Sequence, residues 1–277
     1  MLAVLSYPRH GIERVAFALV VMLILIAIFG PWLAPYDPTQ IDFRNRMSPP
    51  SAAHWFGTDG SGRDVLSRLL AGAQLTLLST AAVISAAVVI GLALGFTSAF
   101  VGGTIDNLLM RFADIWLSFP PLILALGFAA ALGASLEAAI VALIVSWWPN
   151  YARLSRMIAA DILTRKFMAS ADALGVSVRR KVTHYVLPNA MDVLVIQITL
   201  DISAVMLAIS GLSFIGVGAQ IPDPEWGAMI ADGRSHVSTA WWVVTFPGLM
   251  IFITALSFNI MGDMLRRELD PTLQRRG

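Results

Sequence analysis

Hydrophobic and polar positions alternate along this chain in long blocks, with neither a strand period nor the stripe of a soluble amphipathic helix. Apolar blocks occupy residues 15–33, 73–100, 108–132, 191–217 and 242–262, and a further one starts near Leu136 and reaches Trp147-Trp148. About 20 apolar residues in a helix cross a bilayer core, so the pattern predicts six membrane-spanning helices and no strands. The third should kink or break at Ser118-Phe119-Pro120-Pro121, which membrane helices tolerate when neighbours re-satisfy the backbone. The fourth should continue past Trp148 towards Arg156. Span two carries Gly91-x-x-x-Gly95, a spacing that permits close helix approach but also arises by chance in apolar sequence. Residues 101–107, with Gly102-Gly103, read as a tight turn.

The polar blocks divide a single membrane domain, 1–277, into parts: an N-terminal segment 1–14, the first span 15–34, a segment 35–72, and a five-span core 73–277 that contains a loop at 152–189. In the segment 35–72, Gly57, Gly60 and Gly62 favour turns. Residues 64–70 suit either an amphipathic helix lying at the membrane interface or a solvated loop that orients span two. A second such segment, 220–240, holds Pro222-Asp223-Pro224-Glu225-Trp226-Gly227, and Trp226, Trp241 and Trp242 suit the water–lipid boundary.

The loop at 165–189, RKFMASADALGVSVRRKVTHYVLPN, is the longest polar interruption in the second half. It sets an apolar patch, Phe167-Met168-Ala169-Ser170-Ala171-Asp172-Ala173-Leu174-Gly175, among five cations. A short helix ending at Gly175 is expected, because glycine accepts a left-handed cap. Leu187-Pro188-Asn189 should then restart a helix, with Asn189 as N-cap helped by Asp192. Such a knob between two spans suits a surface that another protein grips.

Composition narrows the class. The chain is 57% hydrophobic and 13% charged, where a soluble domain carries roughly a quarter charged residues. A net charge of +1 gives no reason to expect a nucleic-acid partner. No cysteine is present, which excludes disulfides and thiol chemistry. The first apolar block is too long for a signal peptide and lacks an A-x-A cleavage site, so it reads as a retained span. No internal repeat is visible. With both termini inside, 14 of the 19 Lys and Arg residues fall on internal pieces, as cytosolic loops prefer. This N-in/C-in arrangement puts 152–189 in the cytosol.

Candidate chemistry is sparse. No Gly-Lys-Ser/Thr occurs, so no Walker A loop can cradle a nucleotide in this chain. His10, His54, His184 and His236 are scattered without metal-ligand spacing, and His184 reads as a loop-packing or interfacial residue. Neither a catalytic set nor a metal site emerges. Asp201 differs: an ionised group well inside span five is costly and should face a polar cavity or a partner. It is either a carboxylate on a translocation pathway, sharing a cavity with Met206 and Ser210, or a structural hydrogen-bond partner. Asp114, nearer a span end, reads as structural.

The small residues before Ala173-Leu174-Gly175, the basic run after them and His184-x-x-Leu187-Pro188-Asn189 together resemble the EAA coupling loop of ABC importer permeases. His54-x-Phe56-Gly57-Thr58-Asp59, Gly62-Arg63-Asp64-Val65-Leu66-Ser67-Arg68 and Ser213-Phe214-Ile215-Gly216-Val217-Gly218 are similar to strings of the C-type permease of the dipeptide, oligopeptide and nickel family. The likeness runs from Tyr36-Asp37-Pro38 to Leu269-Asp270-Pro271. It departs at Ala169, where the family's name-giving acidic residue often stands. The resemblance implies a type I ABC importer permease of the inner membrane, paired with a second, B-type permease. It also implies two ATP-binding subunits holding ATP and Mg, a periplasmic or lipid-anchored substrate-binding protein, and surrounding lipid. Phe167 to Gly175, His184, Leu187 and Pro188 would form the coupling loop. Peptides are the expected cargo, with nickel or a metal chelate as the alternative. Two other classes remain open: a proton-coupled secondary transporter relaying through Asp201, for which no second embedded acid or inverted repeat is visible, and a membrane scaffold without transport.

Overall fold

A computed structural model describes residues 11–269; the predicted features at Arg9, His10, Asp270-Pro271, Arg275 and Arg276 lie outside the described residues. Ten α-helices follow in order: α1 (Gly11–Leu33), α2 (Val65–Val101), α3 (Gly103–Leu117), α4 (Pro121–Leu132), α5 (Leu136–Leu163), α6 (Lys166–Ala173), α7 (Val178–Lys181), α8 (Leu187–Ile215), α9 (Trp226–Gly233) and α10 (Trp242–Leu269). No strand occurs among the described residues. The rod Val178–Ile215, which takes in α7 and α8, joins α1, α2 and α10 as the four helices long and apolar enough to cross a membrane. The α3–α4 pair, bent by 87° at Ser118–Pro120, can make a fifth span. The proline pair forces that bend: Pro120 takes an extended conformation and Pro121 opens the next helix. Helix α5 is 28 residues long but falls short of the same apolarity.

The core lies where α5 packs against α2, α4 and α8, with Val83, Leu143, Val205, Ile209 and Leu212 among its buried residues. Gly91 and Gly95 determine how closely α2 and α5 meet. A Cβ on Gly91 would run into Tyr151 and Ala152, and one on Gly95 into the Ser155 hydroxyl and the Ala152 carbonyl. Ser155 Oγ donates to the Gly91 carbonyl at 3.1 Å. The small-residue spacing is therefore a contact within the chain.

Three expectations need correction here. Residues 64–70 are neither an interfacial helix nor a solvated loop: they begin α2 itself, so the helix starts at Val65 rather than near residue 73. Asp64 caps it, accepting from the Ser67 N–H at 2.8 Å. Nor does a helix restart at Asn189. The α7 helix passes through one wider π turn over Val182–Val186 into α8. Pro188 has no N–H to give, and the Leu187 N–H bonds instead to the Val182 carbonyl five residues back. The Asn189 side chain donates to the Tyr185 carbonyl at 2.6 Å and caps nothing. Finally, Trp226 and Trp242 are buried within the protein, and of these three only Trp241 is exposed.

The Glu13–Arg267 ion pair, 2.7 Å, brings the start of α1 beside the end of α10, so both described chain ends lie at one end of the bundle. That end also carries the turn at Gly102-Gly103 and α6. There Arg156 of α5 pairs with Asp106 of α3 at 2.6 Å.

Candidate docking and translocation sites

The knob at residues 165–178 divides into an inward and an outward face. Helix α6 ends in a Schellman motif: the Val176 N–H reaches the Ala171 carbonyl and the Gly175 N–H the Asp172 carbonyl, both at 3.0 Å, with Gly175 at φ +66°. Met168 and Ala171 are buried. Met168 anchors the helix among Phe96, Ala159, Ile162 and Val186, while Leu174 stands 82% exposed and Phe167 and Val178 lie open beside it. Phe167 stacks on Tyr185, ring centroids 6.1 Å apart. Lys181 pairs with Asp172, holding the end of α7 against α6. Ala169, Ser170 and Ala173 face outward with Leu174, as do Pro188 and His184, whose Nδ1 lies 2.7 Å from the Thr183 hydroxyl. Leu187 packs inward on the Met168 cluster.

At the opposite end, sequence reasoning missed a buried ionic clamp. Arg63 and Arg68 are each 1% exposed. Arg63 Nε reaches Asp59 at 2.6 Å and its Nη2 reaches Asp232 of α9 at 2.6 Å. Arg68 donates to the carbonyls of Pro38 (3.2 Å) and Pro222 (3.1 Å). The Trp226 indole donates to the Leu69 carbonyl at 3.2 Å and the Trp242 indole to the Thr58 carbonyl at 3.1 Å. Fully buried Glu225 caps α9 and accepts from Ser210 Oγ at 2.8 Å. These bonds weld residues 35–64, the start of α2 and the 220–242 region into one block. Asp37, exposed on its surface, is held below the usual carboxylate range by the Thr39 hydroxyl and amide.

Asp201 lies on the face of α8 turned to α5. Gln197 Nε2 donates to its Oδ1 at 3.1 Å, and Tyr151 and Trp147 lie beside it. The Tyr151 hydroxyl faces the carboxylate, and Asp201 Oδ2 and the Tyr151 oxygen, both buried, have no protein partner beyond each other. The structure separates Met206 and Ser210 from this group. At 3.6 residues per turn they lie about 140° and about 180° round the helix from Asp201. Met206 is buried with Leu23 and Trp226, and Ser210 is bonded to Glu225. Asp114 pairs with Arg153 at 2.5 Å. No group of three metal-ligating side chains is found among the described residues.

Comparison with known proteins decides the family. Residues 87–275 match the family described as binding-protein-dependent transport system inner membrane component. Residues 9–50 match the N-terminal transmembrane domain of oligopeptide transport permease C. The chain belongs to the binding-protein-dependent permeases. Among its relatives is the probable D,D-dipeptide transport system permease protein of Escherichia coli (strain K12), 44% identical over 91% of this chain and 85% of that one. A dipeptide transport system permease protein of Alkalihalophilus pseudofirmus is 38% identical over 96% and 88%. A nickel transport system permease protein of Escherichia coli (strain K12) is 37% identical over 94% of each. The inward-facing MetNI methionine ABC transporter superposes with a TM-score of 0.56 at 22% identity, covering 73% of this chain and 96% of that one, a likeness of fold.

Membership fixes the level at which the chain acts. It is the membrane component of an ABC importer in the inner membrane, and not an enzyme: ATP hydrolysis belongs to separate ATP-binding subunits.

Proposed function

We propose that this permease carries di- or oligopeptides inward, paired with a second, B-type permease, above two ATP-binding subunits that hold ATP and Mg. The relative at 44% identity, a D,D-dipeptide system permease, carries the cargo reading. The bent α3–α4 pair and α5 count as the fifth and sixth spans, with both termini in the cytosol. Burial of α5 against α2, α4 and α8 supports this, since a helix enclosed by others needs less apolar surface than one facing lipid. The outward face of α6, with Phe167, Ser170 and Leu174 at helical spacing and Val178 beyond, is the part an ATP-binding subunit grips. The ionic block at the other end receives the loaded substrate-binding protein. Nucleotide-driven closure below displaces α6, and the spans rock between inward-open and outward-open states. Each change is driven by differential binding of ATP and of loaded binding protein.

The absence of native cysteine makes a direct test possible. A single cysteine replacing Leu174, crosslinked in native membranes, should capture a protein that an ATP analogue photolabels, whereas one replacing Ser238 should not. Failure at Leu174, with that thiol still reachable from the cytosol, overturns the docking assignment.

A further inference from the structure

Asp201 is the middle residue of α8, with 14 residues on either side, so it sits about 21 Å from each end at about 1.5 Å per residue. An ionised carboxylate at that depth is costly unless something positive meets it. No Lys or Arg among the described residues pairs with it. Its neighbours are neutral: the Gln197 amide, the Tyr151 hydroxyl and the Trp147 indole. Two oxygens there, Asp201 Oδ2 and the hydroxyl of fully buried Tyr151, face each other and have no further protein partner.

That set has a definite chemical preference. A primary ammonium carries three donors and no acceptor, so it can donate to both of these oxygens while lying near an aromatic face. A bare metal ion would ask for several anionic or imidazole ligands, and here one carboxylate stands alone. A cavity borders this group at Gln197. Its volume is about 500 Å³, and it sits between α8 and α10, lined by Asp192, Gln197, Leu200 and Arg266 among others. Gln197 forms part of its wall and also holds Asp201 Oδ1.

We propose that Asp201 and Tyr151, positioned by Gln197 and Trp147, form a mid-membrane station for a primary ammonium group, the amino terminus of a peptide in transit. The station rests on the peptide-importer reading above, and its test separates the two. Leu200→Cys places a thiol on the cavity wall of the assembled transporter, in a cysteine-free background and in proteoliposomes. Its reaction rate with an ammonium-bearing thiosulfonate is divided by its rate with a neutral one. Asp201→Asn keeps the size and removes the charge. It should lower that ratio about tenfold and cut dipeptide uptake by at least about tenfold. Asp201→Glu should recover part of both losses. An unchanged ratio overturns the station even if uptake falls, because the carboxylate is then only a structural hydrogen-bond partner. Unchanged uptake overturns it as well. If the unsubstituted complex imports no dipeptide, the cargo reading fails, and the thiol ratio still reports whether the station attracts an ammonium.

Discussion

Arg63 shows how much of this protein's order depends on single side chains. Its guanidinium is removed from water and held between Asp59, four residues away, and Asp232, 169 residues away. Breaking one side of a buried ion pair costs about 3–5 kcal/mol, since the remaining charge stays desolvated. Asp232→Ala should therefore lower the melting temperature of the detergent-solubilised complex and its yield. Arg44→Ala, at an exposed site nearby, should leave both unchanged. The strings around Asp59 and Arg63 were visible as resemblance, yet their burial was not legible. Glycine and charge in a row look alike whether they form a loop in water or a clamp. What distinguishes the two is Asp232, and no local pattern in the chain links residue 63 to residue 232. The Asp201 group was half legible for the same reason. Its cost inside a span could be read from the sequence, but the Tyr151 hydroxyl facing it from another helix could not, nor could the position of Met206 and Ser210 on the other side of α8.

At the scale of elements, the close approach of α2 and α5 is made by absence of side chains. Gly95 leaves space that the Ser155 hydroxyl and Ala152 carbonyl fill. Gly95→Leu must push α2 and α5 apart, and overpacking of this kind costs typically about 1–3 kcal/mol. The expected result is reduced assembly with the second permease in pull-down from membranes, with Gly127→Leu, where nothing crowds the position, as the unaffected control. The helical nature of the apolar blocks, the proline break between α3 and α4 and the glycine cap of α6 were legible because each has a local cause. The continuity of α7 into α8 was not. Leu187-Pro188-Asn189 carries the signals of a helix start, but one widened turn absorbs the missing N–H, and packing of Val186 and Leu187 on the Met168 cluster holds the helix together.

On the scale of the whole molecule, blocks of hydropathy were enough to find the all-helical membrane class, because a bilayer demands one length and one polarity from every crossing. The proposed orientation rests on cation counting and has its own check. A membrane-impermeant thiol reagent should modify Ala53→Cys from the outside of intact cells, and Ser177→Cys only after permeabilisation. The reverse pattern overturns N-in/C-in. The joined helix Val178–Ile215 has 38 residues and, at about 1.5 Å per residue, is about 57 Å long. One end begins beside the exposed Leu174, the other ends against the Glu225-capped block, and Asp201 lies in between. Such a rod works as a lever: tilting it by about 10° about one end moves the other by about 10 Å. Force applied at the docking knob would then reach the far side through stiffness and length, without a relay of side chains, and the widened turn at Val182–Val186 is where that lever is most easily bent.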